Sequence, residues 1–235
     1  MKNSDILLVL VYNTTMKFYH GSKLVIDKPI VKGSDATNDY GPSFYVTLDL
    51  ESAKSWACKN NAIGVVNKYQ IKDSDYESLK VLDLTDKTKY SILNWIAILM
   101  RFRTLDNAFK AKNKLVLEFL EQYYIDVNEY DVIKGFRADD SYFTFPIKFI
   151  SNDLAFDDLE DIFLSGNLGI QYAFMSGKAI NLLKFCGVIE CDMKYLGHYY
   201  HIVKSATDDF QTLINKPRDP NKTYILDLMR KKNGL

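Results

Sequence analysis

Two short strings, Tyr19-His20-Gly21-Ser22 and Gly41-Pro42-Ser43-Phe44-Tyr45-Val46-Thr47, place a histidine and an aromatic at the ends of two strand-like runs. An imidazole at a strand end can bond a ribose hydroxyl, and the ring of Tyr45 offers a flat face to a nicotinamide-like base. Gly21, beside the histidine, lets backbone N–H and C=O approach a carboxamide with no Cβ in the way. Trp56 lies eleven residues beyond Tyr45 and would close the other side of such a ring. These residue types suit a dinucleotide, and the chemistry they suggest is transfer from NAD. That reaction breaks the bond between nicotinamide and ribose through an oxocarbenium-like transition state. A site for it must fix the leaving group, grip the riboses and stabilise positive charge at the ribose carbon, usually with a carboxylate.

Each of these residues also has a plainer reading. A histidine before glycine is commonly a strand-end residue bonded to backbone, and Tyr45 and Trp56 alone would more often be core. Cys186, Cys191, His198 and His201 form a Cys-x4-Cys-x6-His-x2-His string that departs from zinc-finger spacing, and no metal is expected. The chain carries no Walker-type loop, no Gly-x-Gly-x-x-Gly and no nucleophile elbow.

The elements that must position these residues read as α+β. At 235 residues with 47% hydrophobic content, one large domain or one domain with an appendage is expected. A net charge of +0 leaves no global field to hold nucleic acid, so such a contact would be local. Three cysteines make no disulfide framework and point to a reducing, cytoplasmic setting. The apolar run Ile6 to Tyr12 is too short to span a membrane and reads as an extra strand, and Met16 to His20 would also serve as an N-terminal strand.

Further along, Lys17–His20, Ser43–Thr47, Val65–Ile71, Leu79–Leu84, Val132-Ile133 and Ile170–Phe174 read as strands. So does Tyr142–Ile150, which Pro146 marks as an edge or a bulge. Asp49 can cap a helix over Leu50–Cys58. Helical periodicity covers Ser91–Phe102, Phe109–Tyr124, Lys178–Phe185 and a last short helix, Thr223–Lys232. Another helix, capped by Asn152 or Asp153 and stopped at Gly166, precedes Ile170. Lys134 to Asp140 reads as a turn. The expected division is an N-terminal extension over 1–15, a domain over 16–190 with a helical insertion at about 88–125 acting as lid or flank, and a C-terminal extension over 191–235.

The strings Tyr19–Ser22, Asp39–Thr47, Ser52–Ala57, Tyr130–Asp140 and Gln171–Phe174 with Lys178–Phe185 occur in an order and spacing that resembles the ADP-ribosyltransferase superfamily. The similarity is to its branch defined by a histidine, a tyrosine and a glutamate, and within that to a bacterial family labelled domain of unknown function 3990. The resemblance covers about residues 16 to 187. It implies an ADP-ribosyltransferase-like split β-sheet core with flanking helices, with NAD as substrate. His20 would bond the adenosine-side ribose, Gly21 the carboxamide, and Tyr45 and Trp56 would stack on the nicotinamide, with Ser22 and Phe44 beside them in the cofactor-binding strings. Gln171 would bond the nicotinamide-ribose 2′-hydroxyl. Two positions depart from the pattern. Ser43 stands where the poly-ADP-ribosyl type has glycine, and Gln171 keeps hydrogen bonding but lacks the glutamate's charge. Asp139 and Asp140 are the acids expected to supply that charge, although adjacent acids also form turns. The resemblance implies a bacterial cytoplasmic mono-ADP-ribosyltransferase acting on a protein or nucleic-acid acceptor, as the toxin of a pair with a small antitoxin protein. A catalytically silent NAD or ADP-ribose-binding module and an NAD glycohydrolase are the alternatives.

Overall fold

A computed structural model describes residues 14–31, 33–59, 62–138, 142–164 and 169–232. The run Ile6 to Tyr12, the pair Asp139 and Asp140, and Gly166 lie outside the described residues.

The first half of the chain alternates strands and short helices: β1 (Thr15–Ser22), β2 (Phe44–Val46), α1 (Leu50–Ala57), β3 (Val65–Lys72), α2 (Asp73–Glu77) and β4 (Val81–Asp83). A helical stretch follows, comprising α3 (Ile92–Phe102), α4 (Asn107–Lys112) and α5 (Lys114–Glu121). The remainder comprises β5 (Val132–Phe136), α6 (Thr144–Ile150), α7 (Phe156–Leu164), β6 (Ile170–Phe174), α8 (Gly177–Leu182), β7 (Lys184–Glu190), α9 (His198–Ile214) and α10 (Ile225–Lys232).

The result is a mixed α+β protein with two small sheets among the described residues. One is antiparallel in the order β1-β3-β7. The other runs β2-β6-β5-β4, antiparallel except for the parallel β5–β4 pair. An isolated bridge joins them: the Tyr19 and Thr47 backbones exchange N–H···O bonds of 2.8 and 2.9 Å. That bridge is the one strand pairing between them among the described residues, and the candidate site lies beside it.

Local chemistry explains several boundaries. Asp49 caps α1 by accepting from the Glu51 N–H. Ser91 and Asn94 form a reciprocal capping box at the start of α3. Seven of the eleven residues of α3, Ile92, Leu93 and Trp95 to Leu99, are buried. That helix is therefore a central part of the largest apolar cluster, where Trp95 meets Phe136 and Phe163. A second cluster, around Phe18, Tyr69 and Phe174, fills the space between the sheets.

Five expectations need correction. Tyr142–Ile150 is no strand: its second part is the helix α6. Tyr142, Phe145 and Phe149 are spaced three and four apart and are all buried, so they share a helix face. Pro146 sits in the first turn, where its missing N–H has no partner to lose. Asn152 ends that helix rather than starting the next. It adopts φ 65°, the left-handed conformation that asparagine tolerates after a helix. The Phe109–Tyr124 helix is broken at Asn113, whose φ and ψ of −109° and 21° leave the helical region. Its side-chain amide and its backbone N–H both donate to the Phe109 carbonyl, each at 3.0 Å. Finally, Lys184 and Phe185 belong to β7 and not to the preceding helix, and Lys134–Phe136 continue β5 rather than turning. No described helix is long and apolar enough to cross a membrane.

Candidate functional site

A cleft of about 430 Å³ opens where β1 and β2 part. His20 and Gly21 from β1, Tyr45 from β2, Trp56 from α1 and Gln171 from β6 all line it. Five residues singled out in the sequence therefore meet in one place. Two others stand outside the cleft lining. Phe44 is buried, and its ring lies against the His20 imidazole at 4.7 Å between centroids. Ser22 instead bonds the Leu24 backbone and the Asn67 side chain.

His20 is held in one tautomer. Its Nδ1 lies 2.7 Å from the Tyr45 carbonyl oxygen, which can only accept, so Nδ1 carries the proton. Burial lowers the imidazole pKa, and the carbonyl bond offsets this only in part. The neutral ring thus keeps Nε2 as an acceptor.

Tyr45 is fixed by both sides of its hydroxyl. The O–H donates to the Gly41 carbonyl at 2.7 Å and accepts from the Tyr40 N–H at 3.0 Å. Burial pushes this phenol well above its ordinary pKa, so it stays neutral. The two bonds lock the 40–45 turn and orient the ring.

Gly21 has a structural reason that differs from the one expected. A Cβ there would stand 2.0 Å from the Ala53 carbonyl oxygen and 2.7 Å from the Ala57 nitrogen. The glycine therefore lets α1 lie directly on β1. Its backbone still faces the cleft edge. In antiparallel sheets alternate residues aim both backbone groups at the same neighbour. Tyr19 aims its own at Thr47, so Gly21 presents its N–H and C=O along the same edge.

Trp56 is not an open platform. The Arg137 guanidinium lies 4.1 Å from the indole centroid and the Lys59 ammonium 4.4 Å from it. Tyr199, from α9, meets the indole edge-on at 5.6 Å. The helix α9 therefore props a residue of the cleft.

Sequence reasoning missed the most unusual group here. Asp39 is only 7% exposed, yet it lines the cleft. Its Oδ2 accepts from Gln171 Nε2 at 2.7 Å and from the Ala138 N–H at 2.8 Å, and Oδ1 lies 3.7 Å from the Arg103 guanidinium. Burial raises its pKa to about 6, against the pull of those bonds and of Arg103 and Arg137. Gln171 Nε2 also donates to the Phe136 carbonyl at 3.2 Å, an oxygen shared with Tyr40 Oη at 2.7 Å and Trp95 Nε1 at 3.2 Å. Arg103 directly follows α3, so the predicted insertion delivers a cation to the cleft. With Lys59 and Arg137, three cations line the opening beside one described carboxylate. Asp39 and Arg137 fall within the strings noted above, but nothing in their composition marks one as buried or the other as stacked on an indole.

Among the described residues, no three His, Cys, Asp or Glu side chains gather as metal ligands. Cys191 is buried against α1, its sulfur 4.0 Å from the Lys54 carbonyl, while Cys186 lies on β7.

No curated protein and no solved structure matches the chain. A family profile does match, over residues 16–185, which is most of the chain and includes every cleft residue named above. The chain belongs to the family described as protein of unknown function (DUF3990).

Proposed function

We propose that this cleft binds NAD and that the protein transfers ADP-ribose from it to a macromolecular acceptor. The observation that carries the reading is the meeting of His20, Tyr45 and Gln171, brought from three strands to one cleft. On this reading His20 Nε2 accepts from a ribose hydroxyl. The Gly21 backbone edge holds the carboxamide, and the Tyr45 ring lies on the nicotinamide. Arg103, Arg137 and Lys59 suit the pyrophosphate. The two sheets then correspond to the split core of an ADP-ribosyltransferase, with the cleft between them.

The chemistry balances without a further reagent. The bond from the ribose carbon to the nicotinamide nitrogen breaks, and its electron pair leaves with neutral nicotinamide. A nucleophilic oxygen, nitrogen or sulfur of the acceptor adds to the ribose carbon and releases its proton. A role as the toxin of a toxin–antitoxin pair rests on the family resemblance alone.

The neutral Gln171 favours one competing reading, a module that binds NAD or ADP-ribose without turning it over. Incubation with labelled NAD separates the cases. Label on protein or nucleic acid supports transfer. Free ADP-ribose indicates hydrolysis, and intact bound NAD indicates the module. If NAD neither binds nor reacts, the proposal fails. His20→Ala should lower NAD turnover about 30-fold, the cost of roughly 2 kcal/mol of lost hydrogen bonding. Unchanged turnover in that variant would remove the histidine from the site.

A further inference from the structure

We infer that Asp39 and Gln171 act as a unit in which Asp39, a positioning residue, turns the Gln171 amide oxygen toward substrate and supplies the negative charge that the amide lacks. The inference rests on the NAD reading above.

The orientation follows from donor and acceptor chemistry. The atom of Gln171 that meets Asp39 Oδ2 and the Phe136 carbonyl faces two oxygens. An ionised carboxylate and a carbonyl only accept, so that atom must be the amide nitrogen. Both of its N–H groups are then engaged. The amide oxygen points away from them, and Gln171 lines the cleft. A neutral side chain is thus held in the acceptor role that a carboxylate would otherwise fill.

The charge follows from the groups around Asp39. Arg103 and Arg137 face it with positive charge, and Tyr40 and Tyr45 face it with neutral phenols. The two guanidiniums, the Ala138 N–H and the Gln171 amide keep it mostly ionised near neutral pH, despite the burial that raises its pKa to about 6. When the nicotinamide leaves, positive charge spreads over the ribose carbon and ring oxygen. A 2′-hydroxyl bonded to the Gln171 oxygen lies next to the carboxylate that holds the amide. The carboxylate steadies the cation through that hydrogen-bonded chain, and no proton has to move.

The test is a charge exchange. Asp39→Asn should lower kcat for NAD cleavage about 10-fold, with KM for NAD changed less than about 3-fold, because the charge matters in the transition state. Gln171→Glu should also lower kcat, about 10-fold at pH 7. It sets two carboxylates side by side, and like charges that close cannot both ionise. The double variant Asp39→Asn/Gln171→Glu should return to within about 3-fold of the parent, since the new amide can donate to the new carboxylate. In the parent, kcat should fall as pH drops through about 6, and Asp39→Asn should lack that limb.

A double variant as slow as the two single losses multiplied together would overturn the unit, as would an Asp39→Asn enzyme with parental kcat and pH profile. In both cases the parent still cleaves NAD, so the reading of the cleft as an NAD site stands. A parent that neither binds nor cleaves NAD overturns both.

Discussion

Gly21→Ala should destabilise the protein by about 3 kcal/mol and lower its melting temperature by roughly 10 °C. The added methyl would meet backbone rather than a flexible side chain: the Ala53 oxygen at 2.0 Å and the Ala57 nitrogen at 2.7 Å. Neither atom can yield alone, because both belong to α1. The helix must lift from β1 as a body, and buried Ala53, Ala57 and Cys58 lose contact with Val66 beneath them. Lifting also carries Trp56 away from the cleft, so under the proposed function NAD turnover should fall with stability. Thermal unfolding followed by circular dichroism measures the first effect. A variant melting within about 2 °C of the parent would show that α1 is not seated this closely.

Asp39→Asn should stabilise the protein at pH 8 while, under the proposed function, slowing NAD cleavage. The folded carboxyl has a pKa of about 6 against an ordinary 3.8, so the folded state binds this proton more tightly than the unfolded chain does. Protonation therefore favours folding. That contribution is fully present below about pH 4 and is lost as pH rises through about 6. Two units of displacement correspond to roughly 3 kcal/mol at pH 8. The neutral amide avoids that penalty. Urea denaturation at pH 4, 6 and 8 should show the variant more stable than the parent at pH 8, with the difference closing towards pH 4. A constant difference across that range would mean that Asp39 is not the buried acid described. The combination of gain in stability and loss of rate is the pattern of a group kept for chemistry rather than for folding.

Much of the frame was legible from local signals. Asp49 before an amphipathic run and Ser91 before α3 are capping residues whose chemistry acts within a few positions, so those helices begin where expected. The strands carrying His20, Tyr45 and Gln171 were legible as β-branched and aromatic runs. What was hidden depended on contacts far along the chain. Tyr142 to Ile150 reads as a strand because aromatics dominate it, and only burial of Tyr142, Phe145 and Phe149 on one side reveals a helix. Residues 198–214 form a long helix that polar composition concealed.

The same division holds for the cleft. His20, Gly21, Tyr45, Trp56 and Gln171 stood out by motif. Asp39 did not stand out, because an acid in an Asn-Asp-Tyr-Gly turn is ordinary on a surface. The groups that meet it come from the segment just after β5 and from β6, about 100 and 130 residues later, through Ala138 and Gln171. Arg103 joins it only because α3 packs into the main core with its C-terminal end at the opening.

The indole of Trp56 has one further consequence. The chain holds two tryptophans, and Trp95 is wholly buried. It lies in the core with its Nε1 on the Phe136 carbonyl, while the other indole sits beneath Arg137 and Lys59 at the mouth of the opening. A planar guest that displaced the guanidinium from that indole would alter the quenching of a single residue. The protein therefore carries its own optical gauge of occupancy, readable without dye or label.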